Sequence, residues 1–156
     1  MVVSTSVMFL DMLSEAIRRK GQTEPILEFE ICEYNGSVKS LEERSNRIRH
    51  FNSASSGPKV LLMSATSGGT RLNVTGASHI IICEPFWTLG DKVQIVGRCH
   101  HLGQKKTLHI WDIFAGTSEI DVMLGGSAQR KARFAELMNQ RFISKEPNTL
   151  LAGVMA

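Results

Sequence analysis

The segment VLLMSATSGGTRLNVTGASHIIIC, residues 60–83, decides the fold of this chain. It holds two short, continuous apolar runs, at 60–63 and 80–83, on either side of a loop that contains glycines. Runs of this length, bounded by turn residues, are typical of parallel strands that are buried on both faces. We therefore predict two central strands of a parallel sheet, joined by the glycine-containing loop at 64–75.

The segments on both sides of this stretch alternate between helical and strand patterns. The predicted elements are a strand stub at 1–4, a helix at 6–20 that Gly21 ends, a strand at 27–34, a helix from the capping box Ser40–Glu43 to about Asn52, a helix at 91–99, a strand at 107–114, and a final helical region from 117 that Gly125 and Gly126 interrupt. The second helix is expected to bury Leu41, Ile48 and Phe51. Strands that alternate with helices predict a single α/β domain with a mainly parallel sheet flanked by helices.

Composition and the first residues argue against a disulfide-rich, a secreted and a membrane-spanning protein. The chain has 156 residues, is 42% hydrophobic and carries a net charge of +3. Its three cysteines are scattered and form no CxxC pair, so we expect a reducing compartment rather than a disulfide framework. The first ten residues lack a basic region, and their apolar run meets Asp11 at once. We therefore expect neither a secretory signal nor a membrane span.

Two segments carry candidate binding residues. Ligands of parallel α/β sheets bind at the carboxyl ends of the strands, where Gly68 and Gly69 would let backbone amides approach a phosphate closely. Gln94 and Arg98 are one helical turn apart, so an amide and a guanidinium emerge on one helix face and suit a phosphate ester. A flexible turn and a solvated helix end are the structural alternatives for these two segments.

The other candidate sites have less support in the sequence. Cys99, His100 and His101 are metal-ligand types, but three consecutive residues cannot all face one ion, so we expect no metal site. Cys83 is expected to fill the core. The sequence contains neither the GxxxxGK[ST] loop that holds β- and γ-phosphates nor the GxGxxG motif of dinucleotide enzymes.

Together these pieces resemble a known family. The order FLDMLSEAIRRKG, YNGSVKSLEERSNRIRHFN, VLLMSATSGGTRLNVTGASHIIICEPFW, QIVGRCHHLGQ and GTSEIDVM is similar to that of the C-terminal helicase-like lobe of SWI/SNF-type DNA-dependent ATPases, in helicase superfamily two. The combination of SxxxGGxxLNxTxA with QxxxRxHxxGQ carries the likeness. It implies a single RecA-like lobe over residues 1–142, with its first strand truncated, followed by a flexible tail at 143–156.

The resemblance also implies a function. Such a lobe is the second of two in a nuclear, ATP-dependent DNA translocase or chromatin-remodelling ATPase. ATP binds between the lobes, and the first lobe, in cis or in trans, supplies the lysine loop and holds magnesium. By this likeness Gln94, Arg98 and Asn73 bind ATP, and Arg98 acts as an arginine finger once the first lobe is present. Alone, the chain is expected not to turn over ATP at a useful rate.

Duplex DNA is the other partner that the resemblance implies. Gly36 and Ser37 match a loop that touches the DNA backbone, and the glycine motif contributes Ser64, Gly68 and Gly69. Contacts of this kind go to phosphate and sugar, so they give grip without sequence preference.

The sequence departs from the family pattern at several positions. His101 occupies the place of a second arginine, Arg71 replaces the last glycine of the glycine loop, and Asn35 replaces an aspartate. A histidine is mostly neutral at pH 7 and cannot form the guanidinium fork. Two alternatives therefore stay open: a degenerate, non-catalytic lobe that binds DNA or protein, and an unrelated small-molecule enzyme on a doubly wound sheet.

Overall fold

A computed structural model describes residues 1–24, 28–36, 40–53, 57–67 and 72–143 of the chain. The elements are β1 (Val2–Ser4), α1 (Val7–Thr23), β2 (Glu30–Tyr34), α2 (Leu41–Asn52), β3 (Lys59–Ser64), β4 (His79–Ile82), α3 (Leu89–Cys99), β5 (His109–Asp112) and α4 (Glu119–Ile143). All five strands are parallel and form one sheet in the order β2-β3-β1-β4-β5. The prediction of a mainly parallel α/β sheet flanked by helices is confirmed.

The two faces of the sheet are covered by different helices. Side chains alternate along each strand, so neighbouring residues such as Leu61 and Leu62 enter different cores. Leu62 packs with Leu10 of α1, whereas Leu61 packs with Ile48 of α2 and Ile95 of α3. The central strands β1, β3 and β4 are therefore buried from both sides, as their continuous apolar runs predict.

Helix bounds differ from the sequence prediction at the glycines. Gly21 does not end α1, which continues to Thr23 and is closed by the backbone N–H of Glu24 donating to the Lys20 carbonyl. Gly125 and Gly126 do not interrupt α4, which runs through both. Glycine costs only about 1 kcal/mol in a helix relative to alanine, and the rest of each helix outweighs that cost. A Cβ on Gly125 would lie 3.8 Å from the Phe114 ring, so the helix passes close to that side chain.

Two large side chains, Leu41 and Trp87, are exposed, and for Leu41 the sequence predicted burial. Leu41 is 79% exposed because the core beneath α2 includes only Ile48 and Phe51 of that helix, and the first turn extends past it. Trp87 is 56% exposed, and the Lys131 ammonium lies 4.5 Å from the centre of its ring. Within the described residues, no helix is both long and apolar enough to cross a membrane.

Candidate nucleotide and DNA site at the carboxyl edge of the sheet

A cavity of about 540 Å³ lies where β1, β3 and β4 end. Thr5 follows β1, Thr66 follows β3 and Glu84 follows β4, and all three line the cavity. The neighbouring strands β1 and β4 lead into α1 and α3, which cover opposite faces of the sheet. The cavity therefore lies at the switch point of the sheet, where open α/β folds bind their ligands.

Helix α3 places Gln94 and Arg98 together in this cavity. Thr88 caps the helix by accepting from the Asp91 backbone N–H at 3.1 Å, and this cap fixes where the helix begins. Gln94 is exposed, while Arg98 is half-buried with its Nη1 3.6 Å from Met63 Sδ. Burial lowers the pKa of the Arg98 guanidinium, but arginine keeps its charge in proteins. The predicted pair thus shares one concave surface and can present an amide and a cation to an anionic ligand.

Three carboxylates line the same cavity: Glu84, Asp91 and Asp121. Each carboxylate accepts a hydrogen bond from a group close to it in space. Glu84 accepts from the Thr5 backbone N–H, Asp91 from the Thr88 hydroxyl at 2.6 Å and Asp121 from the Ala115 backbone N–H at 3.0 Å. No sequence motif groups these three acids, because they lie in different parts of the chain. Their negative charge opposes a polyphosphate, so this surface needs further cations to hold one.

The predicted DNA-binding residues occupy the adjacent part of the same edge. Gly36 is exposed in the turn after β2, whereas Ser64 is buried and its hydroxyl lies 3.0 Å from that of Thr66. The Ser67 hydroxyl is 3.1 Å from the Tyr34 carbonyl oxygen and 2.9 Å from the Ser64 carbonyl oxygen. Ser67 therefore joins the start of the glycine loop to the end of β2. Ser37, Gly68, Gly69 and Arg71 lie outside the described residues.

Asn73 does not line the cavity. Its side-chain Nδ2 lies 3.5 Å from Nδ1 of His101, and both residues are exposed. The next residue, Val74, donates its backbone N–H to the Arg98 carbonyl at 2.7 Å. A backbone hydrogen bond thus joins the end of the glycine motif to the helix that carries Gln94 and Arg98.

Sequence reasoning missed Asn52, whose side chain holds the segment from Asn73 to Gly76 in place. Its Nδ2 donates to the Asn73 carbonyl at 2.9 Å, and its Oδ1 accepts from the Gly76 backbone N–H at 2.8 Å. In the sequence Asn52 is only the last residue of a predicted helix, so no local signal marks it. The side chain bonds two backbone groups that no strand or helix satisfies.

Replacing Asn52 with alanine is expected to lower the free energy of unfolding by about 2 kcal/mol, because two backbone hydrogen bonds are lost together. Urea unfolding measures the change. Asn46→Ala is the matched control, since Asn46 is exposed on the same helix and its side chain accepts from Arg49 of that helix. Equal stability of the two variants would contradict the assigned role of Asn52.

The end of the QIVGRCHHLGQ segment is structural. Gly103 has φ of 102°, a conformation that favours glycine. The Gln104 amide donates to the Ala77 carbonyl at 2.8 Å and lies 3.2 Å from the Cys99 carbonyl. These two residues therefore hold the turn after α3 against the loop before β4.

The cysteines have the properties of core residues. Cys83 packs beside the α1 face of the sheet and Cys99 is fully buried on the other face. Burial raises the pKa of both thiols to about 11, so both are protonated at neutral pH and are poor nucleophiles. Cys99 points into the core while His100 and His101 are exposed, so the structure does not bring these three residues together.

Comparison with known proteins identifies the family. The helicase conserved C-terminal domain matches residues 1–103. The chain is 40% identical over 110 residues to a probable global transactivator of Orgyia pseudotsugata multicapsid polyhedrosis virus, covering 70% of this chain and 20% of that protein. It is 30% identical over 118 residues to the ATP-dependent DNA helicase DDM1 of Arabidopsis thaliana, covering 76% of this chain and 14% of that protein.

A solved structure supports the same fold. The C-terminal part of the Fun30 ATPase domain superposes with a TM-score of 0.69 at 22% identity, covering 81% of this chain and 38% of that chain. The present chain spans a fifth or less of the length of the two relatives above. The parallel sheet, the order of the motifs and the family match over residues 1–103 agree: the chain belongs to the helicase conserved C-terminal domain family and is a RecA-like lobe of the SWI/SNF type.

Proposed function

We propose that this chain is the second lobe of a nuclear, ATP-dependent DNA translocase of the chromatin-remodelling type, and that it is catalytically incomplete without a first RecA-like lobe. The observation that carries the proposal is the placement of Gln94 and Arg98 in one cavity at the switch point of the sheet. In this role both residues contact the phosphates of ATP, and Arg98 stabilises the charge that develops on the transferred phosphoryl group.

The composition of the cavity supports the need for a partner lobe. Arg98 lines this cavity together with Glu84, Asp91 and Asp121, so the described residues that line it offer one cation and three carboxylates. ATP carries several negative charges, and the sequence has no GxxxxGK[ST] loop to balance them. The lysine loop and the magnesium ion would come from the first lobe, in the same polypeptide or on another chain.

The DNA contacts that we propose lie beside this cavity. Gly36 is exposed in the turn after β2, and Ser67 bonds the glycine loop to that turn. Ser64 is buried, so its part is to support the turn rather than to reach a phosphate directly. We also assign backbone contacts with duplex DNA to Ser37, Gly68 and Gly69, on the resemblance alone. Such contacts position the duplex without reading its bases.

The two proposed sites are joined through the backbone. Val74 donates to the carbonyl of Arg98, and Asn73, one residue earlier, contacts His101 beyond the end of α3. Movement of α3 towards a nucleotide would therefore shift the end of the glycine motif with it. In this scheme Asn73 connects the nucleotide side to the DNA side and contacts ATP only when the first lobe closes.

A degenerate lobe that binds DNA or protein without catalysis is the second candidate. His101 favours it, because this residue stands where the family has a second arginine and lies exposed, outside the cavity. Arg71 favours it too, as a bulky residue in a loop that normally has glycine there.

The test is ATP hydrolysis by this chain alone and by a two-lobed relative whose matching segment has been replaced by this chain. We expect no phosphate release from the chain alone, with or without duplex DNA, and DNA-stimulated release from the chimera. Turnover by the chain alone would mean that its own residues complete the active site. An inactive chimera that still binds DNA, beside an active parent, would favour the non-catalytic lobe.

A further inference from the structure

A second cluster of reactive side chains lies away from the nucleotide cavity. Glu30 and Cys32 of β2 and His50 of α2 each offer one metal-ligand atom, and these atoms all lie within 4.8 Å of one another. Glu30 is the first residue of β2, so the cluster is towards the amino end of that strand, whereas the cavity is at the carboxyl ends. No step of the proposed ATPase function uses these residues.

The fold explains why these residues meet. Glu30 and Cys32 are two residues apart on one strand, so their side chains point to the same face of the sheet. Cys32 belongs to the core on the face that α2 covers, together with Ile48 and Phe51 of that helix. His50 lies between these two residues in sequence, beside the edge of the sheet, and its Nε2 contacts Glu30 Oε1. The packing of α2 on β2 thus brings the three side chains together.

The ligand set is chemically mixed in a way that suits zinc. It contains a thiol, an imidazole nitrogen and a carboxylate oxygen, which are the three ligand types of protein zinc sites. Thiolate and carboxylate together carry two negative charges, which balance one Zn²⁺. Glu30 and His50 are exposed while Cys32 is buried beneath them, so an ion could enter from solvent and reach the sulfur last.

Nearby cations are held by other groups. Lys59 lies 4.0 Å from Glu30, but its ammonium donates to the His50 carbonyl at 2.6 Å and also reaches Ser53. Arg47 donates to the Glu33 carbonyl at 2.9 Å and pairs with Glu43. Burial and the charge of Glu30 raise the pKa of the Cys32 thiol, so a bound metal would have to displace its proton.

We propose that Glu30, Cys32 and His50 form a zinc-binding site with a fourth position open to water or to an outside ligand. Zinc would replace the contact between His50 and Glu30 and connect the edge strand β2 to α2. The chain between these elements contains Gly36 and Ser37, so the ion would support the loop that we assign to DNA. The site itself does not depend on the proposed function.

The test uses the full chain, stripped of metal with a chelator and then titrated with Zn²⁺ or with Co²⁺ as a spectroscopic probe. We expect one ion per chain and a thiolate-to-cobalt charge-transfer band. Cys32→Ser should abolish the band, and His50→Gln and Glu30→Gln should each weaken Zn²⁺ binding at least tenfold. Cys83→Ser and His100→Gln are the matched controls and should bind as the parent does.

Three results of this experiment would overturn the zinc-site proposal. Absence of the charge-transfer band in the parent, or a band that survives Cys32→Ser, would overturn the proposal. His50 is exposed, so His50→Gln should fold normally, and unchanged Zn²⁺ affinity in that variant would also overturn it. Because the readout is metal binding and not ATP turnover, the result is independent of whether the chain serves an active ATPase.

Discussion

Replacing Arg98 with lysine in an active two-lobed assembly is expected to lower ATP turnover about a thousandfold. Arg98 is half-buried on α3 and shares the cavity at the carboxyl ends of the strands with Gln94. A guanidinium can form two parallel hydrogen bonds to a phosphoryl group, whereas an ammonium is a compact point charge on a flexible stem. Lysine therefore keeps the charge but loses the geometry. Steady-state phosphate release at saturating DNA measures the effect.

Its matched control is Arg19→Ala. Arg19 is exposed on α1 and pairs with Glu15 in an i,i+4 salt bridge of the kind that contributes little to stability. We expect turnover in that variant to stay within twofold of the parent. DNA binding without nucleotide should be unchanged in Arg98→Lys, because the proposed DNA contacts lie on the turns after β2 and β3. A loss of less than tenfold in turnover would remove Arg98 from the proposed catalytic role.

The central sheet could be predicted from the sequence because each inner strand is a run of apolar residues. Most residues of 60–63 and 80–83 are buried, from Leu61 to Met63 and at Ile80 and Ile82, and such strands leave a continuous hydrophobic pattern that needs no long-range information. The spacing of Gln94 and Arg98 was equally local, since one helical turn places both side chains on one face. Their common cavity followed once the strand ends were placed.

Other features depend on distant contacts and left no such pattern. Asn52 bonds the backbone of Asn73, twenty-one residues later in the chain, and Cys32 meets His50 only because α2 packs on β2. The exposure of Leu41 has the same origin, since it depends on where the core beneath α2 stops. The misplaced helix ends have a different cause: glycine weakens a helix by an amount that good neighbouring helix formers can offset.

Whether this lobe supports catalysis is tested most directly at residue 101. His101 lies just beyond the end of α3 at Cys99, is exposed, and contacts Asn73. In the chimeric two-lobed protein, His101→Arg is expected to raise ATP turnover about a hundredfold, because it restores a second permanent cation near the phosphates. The imidazole of His101 lacks the planar fork of donors with which a guanidinium binds a phosphoryl group.

Leu102→Arg is the control for the added charge. Leu102 is 90% exposed and adjacent in the chain, so this variant adds the same guanidinium at the wrong position and should leave turnover unchanged. If the chimera hydrolyses ATP only after His101→Arg, the natural chain is the non-catalytic lobe, and its surface at the carboxyl edge serves binding. Activity in the parent chimera that rises further in His101→Arg alone would instead mean that Arg98 already supports hydrolysis and that position 101 sets its rate.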